Sequence, residues 1–167
     1  MTTFRSFIAN HIKFNTWANN NYAIWLTGLS DEILLTAVNK NSIISIVQHI
    51  TKAQQFWTLF LKNKNIADFI WRTEIIDLKF EIKMLQESGI LLEKVCMNFS
   101  DDELLELIKF ETSWAKNKLQ RFDYIVHCVN HSTHHRGQIA LLANKQECRY
   151  NIPNTEYSLY LGNLQRN

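Results

Sequence analysis

His127-Cys-Val-Asn-His131-Ser-Thr-His134-His135-Arg136-Gly137-Gln138 holds four of the chain's six histidines within nine residues and reads as part of a long helix. Residues four apart in a helix sit about 40° apart around the axis and one turn along it, so His131 and His135 present two imidazoles from one face. Neutral imidazole binds borderline divalent cations, and two nitrogens one turn apart reach a single ion without distorting the helix. The pair makes half a site. Two histidines on a solvated helix face would need no function, and spacing by itself does not separate the two readings. His134 lies about 100° from His135 and about 60° from His131, which reads as exposed or in contact with the ligands. His127 extends the stripe by one turn, so a 127/131 pair is stereochemically just as allowed; a site-wall or hydrogen-bonding role is favoured for it.

Working outward, this helix should begin near Phe122 and run to about Lys145. One proline, Pro153, and four glycines give little punctuation, which suits a few long helices better than many short strands. A first helix is expected from about Thr3 to Thr27, with Phe7, His11, Phe14, Ala18 and Trp25 at helical spacing and a stop at Gly28. A linker follows at Ser30 to Lys40. The second helix starts after Asn41 or Ser42 as cap, carries Ile43, Ile46, His49, Ile50, Ala53, Phe56, Trp57 and Phe60 along one stripe, and frays at Lys62 to Asn65. A connection containing Trp71 leads to a third helix, from about Leu78 to Phe99, ended by the Ser100-Asp-Asp turn. Leu107 to Glu111 and Trp114 to Gln120 read as a small hairpin before the fourth helix. No internal repeat or low-complexity tract is present.

At 167 residues, with 46% hydrophobic and 12% aromatic content, the chain suits one domain, 1–167, rather than two. A net charge of +2 with interspersed signs gives no footprint for nucleic acid and no polybasic surface for a membrane. Cys96, Cys128 and Cys148 are odd in number and lie outside any Cys-x-x-Cys motif, which argues against a disulfide framework and for a reducing compartment. The start of the chain lacks the pattern of a signal peptide, and no stretch approaches 18 uninterrupted apolar residues. A soluble, cytoplasmic protein is the expectation.

Four long helices, one long crossover between the second and third, and a hairpin before the fourth predict an all-α, antiparallel four-helix bundle. Bundle cores are where metal sites are built from facing helices. His49 interrupts an otherwise apolar stripe and so should point into the core. If the second helix faces the fourth, His49 completes a three-histidine set with His131 and His135 and leaves a coordination position open, the mark of a catalytic site.

The segment Val129-Asn-His131-Ser-Thr-His-His135-Arg-Gly-Gln138-Ile resembles the signature helix of the DinB-like (DinB/YfiT-like) family of damage-inducible, metal-dependent bundle proteins. Phe14-Asn-Thr-Trp17-Ala-Asn, Val47-Gln-His49-Ile, Phe99-Ser-Asp-Asp-Glu-Leu104 and Ile152-Pro-Asn-Thr-Glu-Tyr-Ser-Leu-Tyr160-Leu fall in the family's order. The resemblance implies three histidine ligands to one divalent metal ion, at His49, His131 and His135, with zinc or nickel foremost and iron or manganese also accepted. It implies a homodimer and a stress-response role. Characterised relatives include thiol-dependent transferases and a maleylpyruvate isomerase, so the reaction implied is transfer of a low-molecular-weight thiol to an electrophile. A non-catalytic stress-response or structural metal-binding bundle and a metal-dependent hydrolase are the alternatives. The hydrolase is weakened because no carboxylate on the site face stands out as a general base. Two departures from the family pattern are visible: Asn144-Lys-Gln-Glu-Cys148 lacks the usual glycine, and Glu156 stands where aspartate is common.

The remaining polar residues of the stretch have bland readings beside functional ones. Gln138 shares the face of His131 and His135 and either orients bound water or substrate or is a polar residue at the bundle's end. Cys128 projects within about 20° of His135 and reads as a small buried thiol before a ligand or nucleophile. Arg136 reads as exposed or paired with a carboxylate, and Gly137, costing about 1 kcal/mol against alanine in a helix, as a point of close helix approach. His11 reads as a hydrogen-bonded core histidine that in the other case lines the site. Trp17 and Trp57 read as core.

Overall fold

The computed structural model describes residues 3–38, 41–146 and 151–166. Cys148 and the end of the Asn144–Cys148 departure lie outside the described residues, as does Lys40 at the end of the expected linker. In chain order the elements are α1 (Phe4–Leu26), α2 (Asp31–Leu35), α3 (Ile43–Leu61), α4 (Leu78–Met97), α5 (Asp101–Leu105), β1 (Leu107–Glu111), β2 (Lys116–Gln120), α6 (Arg121–Lys145) and α7 (Tyr157–Leu164).

Local chemistry sets the helix starts. Of the two candidate caps for α3, Ser42 serves: its hydroxyl accepts from Ser45 N at 3.2 Å while Ser45 Oγ accepts from Ser42 N at 3.0 Å. Thr3 caps α1, and Asp77 caps α4 by accepting from Lys79 N at 2.8 Å and Phe80 N at 3.1 Å. Three short helices were not expected. Ser30, within the supposed linker, caps α2; Ser100, supposed to end the third helix, caps α5 in a reciprocal box with Glu103; and α7 follows Pro153. Helices of five to eight residues give too few turns for an apolar period to show. The third long helix stops at Met97, two residues before the expected Phe99.

The hairpin is antiparallel, with Leu107 opposite Gln120 and Glu111 opposite Lys116. Residues 112–115 form its turn, so β2 begins at Lys116 and not at Trp114. Ile108 and Phe110 point inward, and Phe110 meets Trp57 and Phe60 with ring centroids 5.2 Å apart in each pair. This buries the hairpin's apolar face on the end of α3.

Each of the four long helices packs against two others: α3 against α4 and α6, and α1 against the same two. The buried face of α1 is Ile8, Ile12, Phe14, Asn15, Ala18, Asn19, Tyr22, Ala23 and Leu26, which keeps Phe14 and Ala18 of the expected stripe but not Phe7, His11 or Trp25. Phe7 is 47% exposed. Two anchors set α3 against α6, the pair that matters for the site. At the start of α6, buried Arg121 donates from Nη1 to the Leu61 carbonyl at 2.7 Å and from Nε to the Glu103 carbonyl at 2.9 Å, and ion-pairs with Glu106.

The second anchor crosses the core. Arg136 is 1% exposed and has no carboxylate partner among the described residues, which overturns both sequence readings of it. Its Nη1 donates to Asn15 Oδ1 at 3.0 Å and Asn19 Oδ1 at 2.7 Å, and its Nη2 to Thr133 Oγ1 at 2.8 Å. Both asparagines turn their amide Nδ2 to Gln54 Oε1, at 3.2 and 3.0 Å. One guanidinium thereby links α6 to α1, and the asparagines pass the link to α3. Burial lowers the Arg136 pKa to about 10, so the group remains a cation at neutral pH. The close helix approach expected at Gly137 is at Gly89 instead. A Cβ on Gly89 would stand 3.0 Å from both Asn19 Nδ2 and Gln54 Oε1, whereas Gly137 faces open space.

Candidate metal centre

His49 leaves α3 toward α6, and His131 and His135 leave α6 one turn apart to meet it. His131 Nε2 lies 3.2 Å from His49 Nε2 and 3.1 Å from His135 Nε2. The ring centroids of His49 and His135 are 4.4 Å apart, and one nitrogen from each of the three rings falls within 4.8 Å of the others. Tetrahedral imidazole coordination at about 2.0–2.1 Å places ligand nitrogens roughly 3.3 Å apart. The donor set therefore fits a single cation.

Hydrogen bonding fixes the tautomer of one ring. Gln138 Nε2 donates to His134 Nε2 at 3.0 Å, which turns Gln138 Oε1 toward His135 Nδ1 at 2.7 Å. An amide oxygen only accepts, so His135 carries its proton on Nδ1 and aims the Nε2 lone pair at the cluster. Gln138 thus orients a candidate ligand, a role one step removed from the expected contact with water or substrate. His134 is exposed and reaches the cluster through Gln138. His127 packs edge-on to Trp57 at 5.1 Å and has its ring 6.1 Å from that of His131. It is exposed and is not among the residues that line the cavity beside the cluster.

Electrostatics keep the three rings neutral. Burial, then the neighbouring His135, His49, His127 and His134, push the His131 pKa down to about 3. Burial also lowers His49, helped by His135 and Arg72, and lowers His135 against the raising effect of Gln138. A neutral imidazole is the form that donates a lone pair to a metal.

The cluster opens into a cavity of about 600 Å³, whose wall includes Ser45, Gln48, Trp71, Arg72 and Gln138 beside His49 and His135. That is the size of a small-molecule site. Trp71 and Arg72 belong to the long connection between α3 and α4, which has no periodicity from which the sequence reading could place them. Buried Gln48 sets them by donating from Nε2 to the Thr73 carbonyl at 3.1 Å and to Glu81 Oε1 at 3.1 Å. Trp71 packs on Phe56 at 4.7 Å and leans toward His49 at 6.5 Å.

Two other candidates fall away from the centre. Cys128 is fully buried and does not line the cavity, and burial raises its thiol to about 12, which leaves a structural residue. His11 is not the hydrogen-bonded core histidine expected. Both of its ring nitrogens are buried without a partner, in a nest of Phe7, Phe14 and Tyr157 between α1 and α7.

These histidines give a pH prediction for the metal-free protein. His11, His49, His131 and His135 all have folded pKa values below the ordinary 6.5. The unfolded chain therefore takes up protons first as pH falls below about 6.5, and stability declines from there toward the folded values. Discounted for partial exposure, the loss between pH 7 and pH 5 should be about 1–2 kcal/mol in urea unfolding. A stability that is flat or rising over that interval would contradict neutral, buried imidazoles.

No helix among the described residues is long and apolar enough to cross a membrane. The chain is 24% identical over 161 residues to Protein DinB of Bacillus subtilis (strain 168), an alignment covering 89% of this chain and 90% of that protein. A sequence model of the DinB superfamily matches residues 16–139, more than half of the chain and a span that includes His49, His131 and His135. On that match over most of its length, the chain belongs to the DinB superfamily.

Proposed function

We propose that the four long helices form an antiparallel bundle, with the α3–α4 connection as its long crossover, built around one divalent cation held by His49, His131 and His135. On this reading the protein is a cytoplasmic, homodimeric enzyme that transfers a low-molecular-weight thiol to an electrophile. The observation that carries it is the convergence of three neutral imidazoles at metal-ligand spacing, two of them, His49 and His135, on the wall of a small-molecule cavity.

A divalent ion held by His49, His131 and His135 would supply Lewis acidity, which lowers the pKa of a thiol. The chain's own residues do the rest. Three uncharged ligands leave the full positive charge of the centre available to an anion. Gln138 holds His135 in the ligating tautomer. The cavity wall would confine a small electrophile beside the three-histidine centre. Among the described lining residues there is no carboxylate to activate water, which favours thiol transfer over hydrolysis.

The test is spectroscopic. Cobalt-substituted protein should show a thiolate-to-cobalt absorption band on adding 2-mercaptoethanol, followed by thiol consumption when a small alkylating electrophile is supplied. A bound cobalt whose spectrum ignores thiols would leave a saturated, structural metal site and overturn the enzymatic reading.

A further inference from the structure

Arg72 is a cation that the metal chemistry leaves unused. It sits in the connection between two fixed points, Trp71 packed on Phe56 and Thr73 held by buried Gln48. Its guanidinium lines the same cavity as His49 and His135. No carboxylate pairs with it among the described residues, although sixteen acidic residues are present in the chain. The surrounding wall offers a hydrogen-bonding side chain at Asn41 and an aromatic face at Trp71.

We propose that this cavity is a binding site for a small organic molecule bearing a carboxylate, with Arg72 taking the carboxylate and Trp71 covering the apolar body beside the three-histidine centre. A planar guanidinium presents paired N–H donors in the fork that two carboxylate oxygens match. A single such fork suits a carboxylate; a phosphate recruits further cations or a run of backbone N–H groups, and the described lining residues include no second lysine or arginine. The cavity volume of about 600 Å³ accommodates a ligand that spans from Arg72 to the histidines. The inference rests on the proposed function only in assigning the far end of that ligand to the metal centre. The Arg72 contact stands without it.

The experiment separates the two. Succinate and inorganic phosphate are titrated by calorimetry into metal-free full-length protein and into Arg72→Gln, an exposed substitution that leaves the packing untouched. In parallel, cobalt-loaded forms of both are titrated with mercaptosuccinate and with uncharged 2-mercaptoethanol, read by visible absorption. The expected result is succinate binding weakened about tenfold in Arg72→Gln, phosphate binding more weakly than succinate, and mercaptosuccinate preferred about tenfold over 2-mercaptoethanol. That preference should vanish in Arg72→Gln with 2-mercaptoethanol unchanged. Absence of succinate binding, an unchanged affinity in Arg72→Gln, or tighter binding of phosphate would overturn the carboxylate assignment. Succinate binding through Arg72 with cobalt silent to both thiols would sustain it while overturning thiol activation.

Discussion

Arg136→Ala should destabilise the metal-free protein by about 3–5 kcal/mol in urea unfolding, and lower its thermal midpoint by roughly 10 °C. The size follows from what the truncation leaves behind. Asn15 Oδ1 and Asn19 Oδ1 are buried acceptors whose donor is the guanidinium, and an orphaned buried polar group costs about 1–3 kcal/mol. The void left by one of the largest fully buried side chains adds to that. Arg136→Lys should recover little, because one ammonium cannot reproduce the fork that serves Asn15, Asn19 and Thr133 together. A loss under about 1 kcal/mol for the alanine variant would mean that water enters and satisfies the asparagines, and that the network does not hold α6 in register.

Loss of metal-dependent stabilisation is the second large effect expected. Zinc at about a thousand times its dissociation constant adds about 4 kcal/mol to a folded protein that binds it. His49→Ala, His131→Ala or His135→Ala should each abolish most of the zinc-induced rise in the thermal midpoint, since two imidazoles remain from a set of three. His127→Ala and His134→Ala should retain it, because His127 faces Trp57 and His134 meets the cluster only through Gln138. Retention of the full rise in His135→Ala with its loss in His127→Ala would reassign the α6 ligands to the pair one turn earlier, and retention in His49→Ala or His131→Ala would remove that residue from the set.

The long helices were legible because each has enough turns to display its period, and Ser42 marks the start of α3 as a cap. The pairing of His131 with His135 was equally plain, being a property of one helix. His49 required the further step that a polar residue in an apolar stripe points inward, and the packing of α3 on α6 supplies what that step assumed. Arg136 was misread for a converse reason. A guanidinium is normally solvated or ion-paired, and nothing in the local sequence reveals that Asn15 and Asn19, more than a hundred residues away, converge on it and are themselves held by Gln54. Trp71 and Arg72 were out of reach altogether, because an aperiodic connection takes its position from tertiary contacts such as Gln48 to Thr73. The short helices α2, α5 and α7 had caps or turns that were read as punctuation.

The most direct test is the metal itself: elemental analysis of tag-free protein after exposure to zinc or nickel and exhaustive dialysis, joined to X-ray absorption at the metal edge. One equivalent of metal per chain, with three imidazole nitrogens at about 2.0–2.1 Å, is the predicted result. Failure to retain stoichiometric metal, or a first shell with fewer than three imidazoles, would contradict the three-histidine centre.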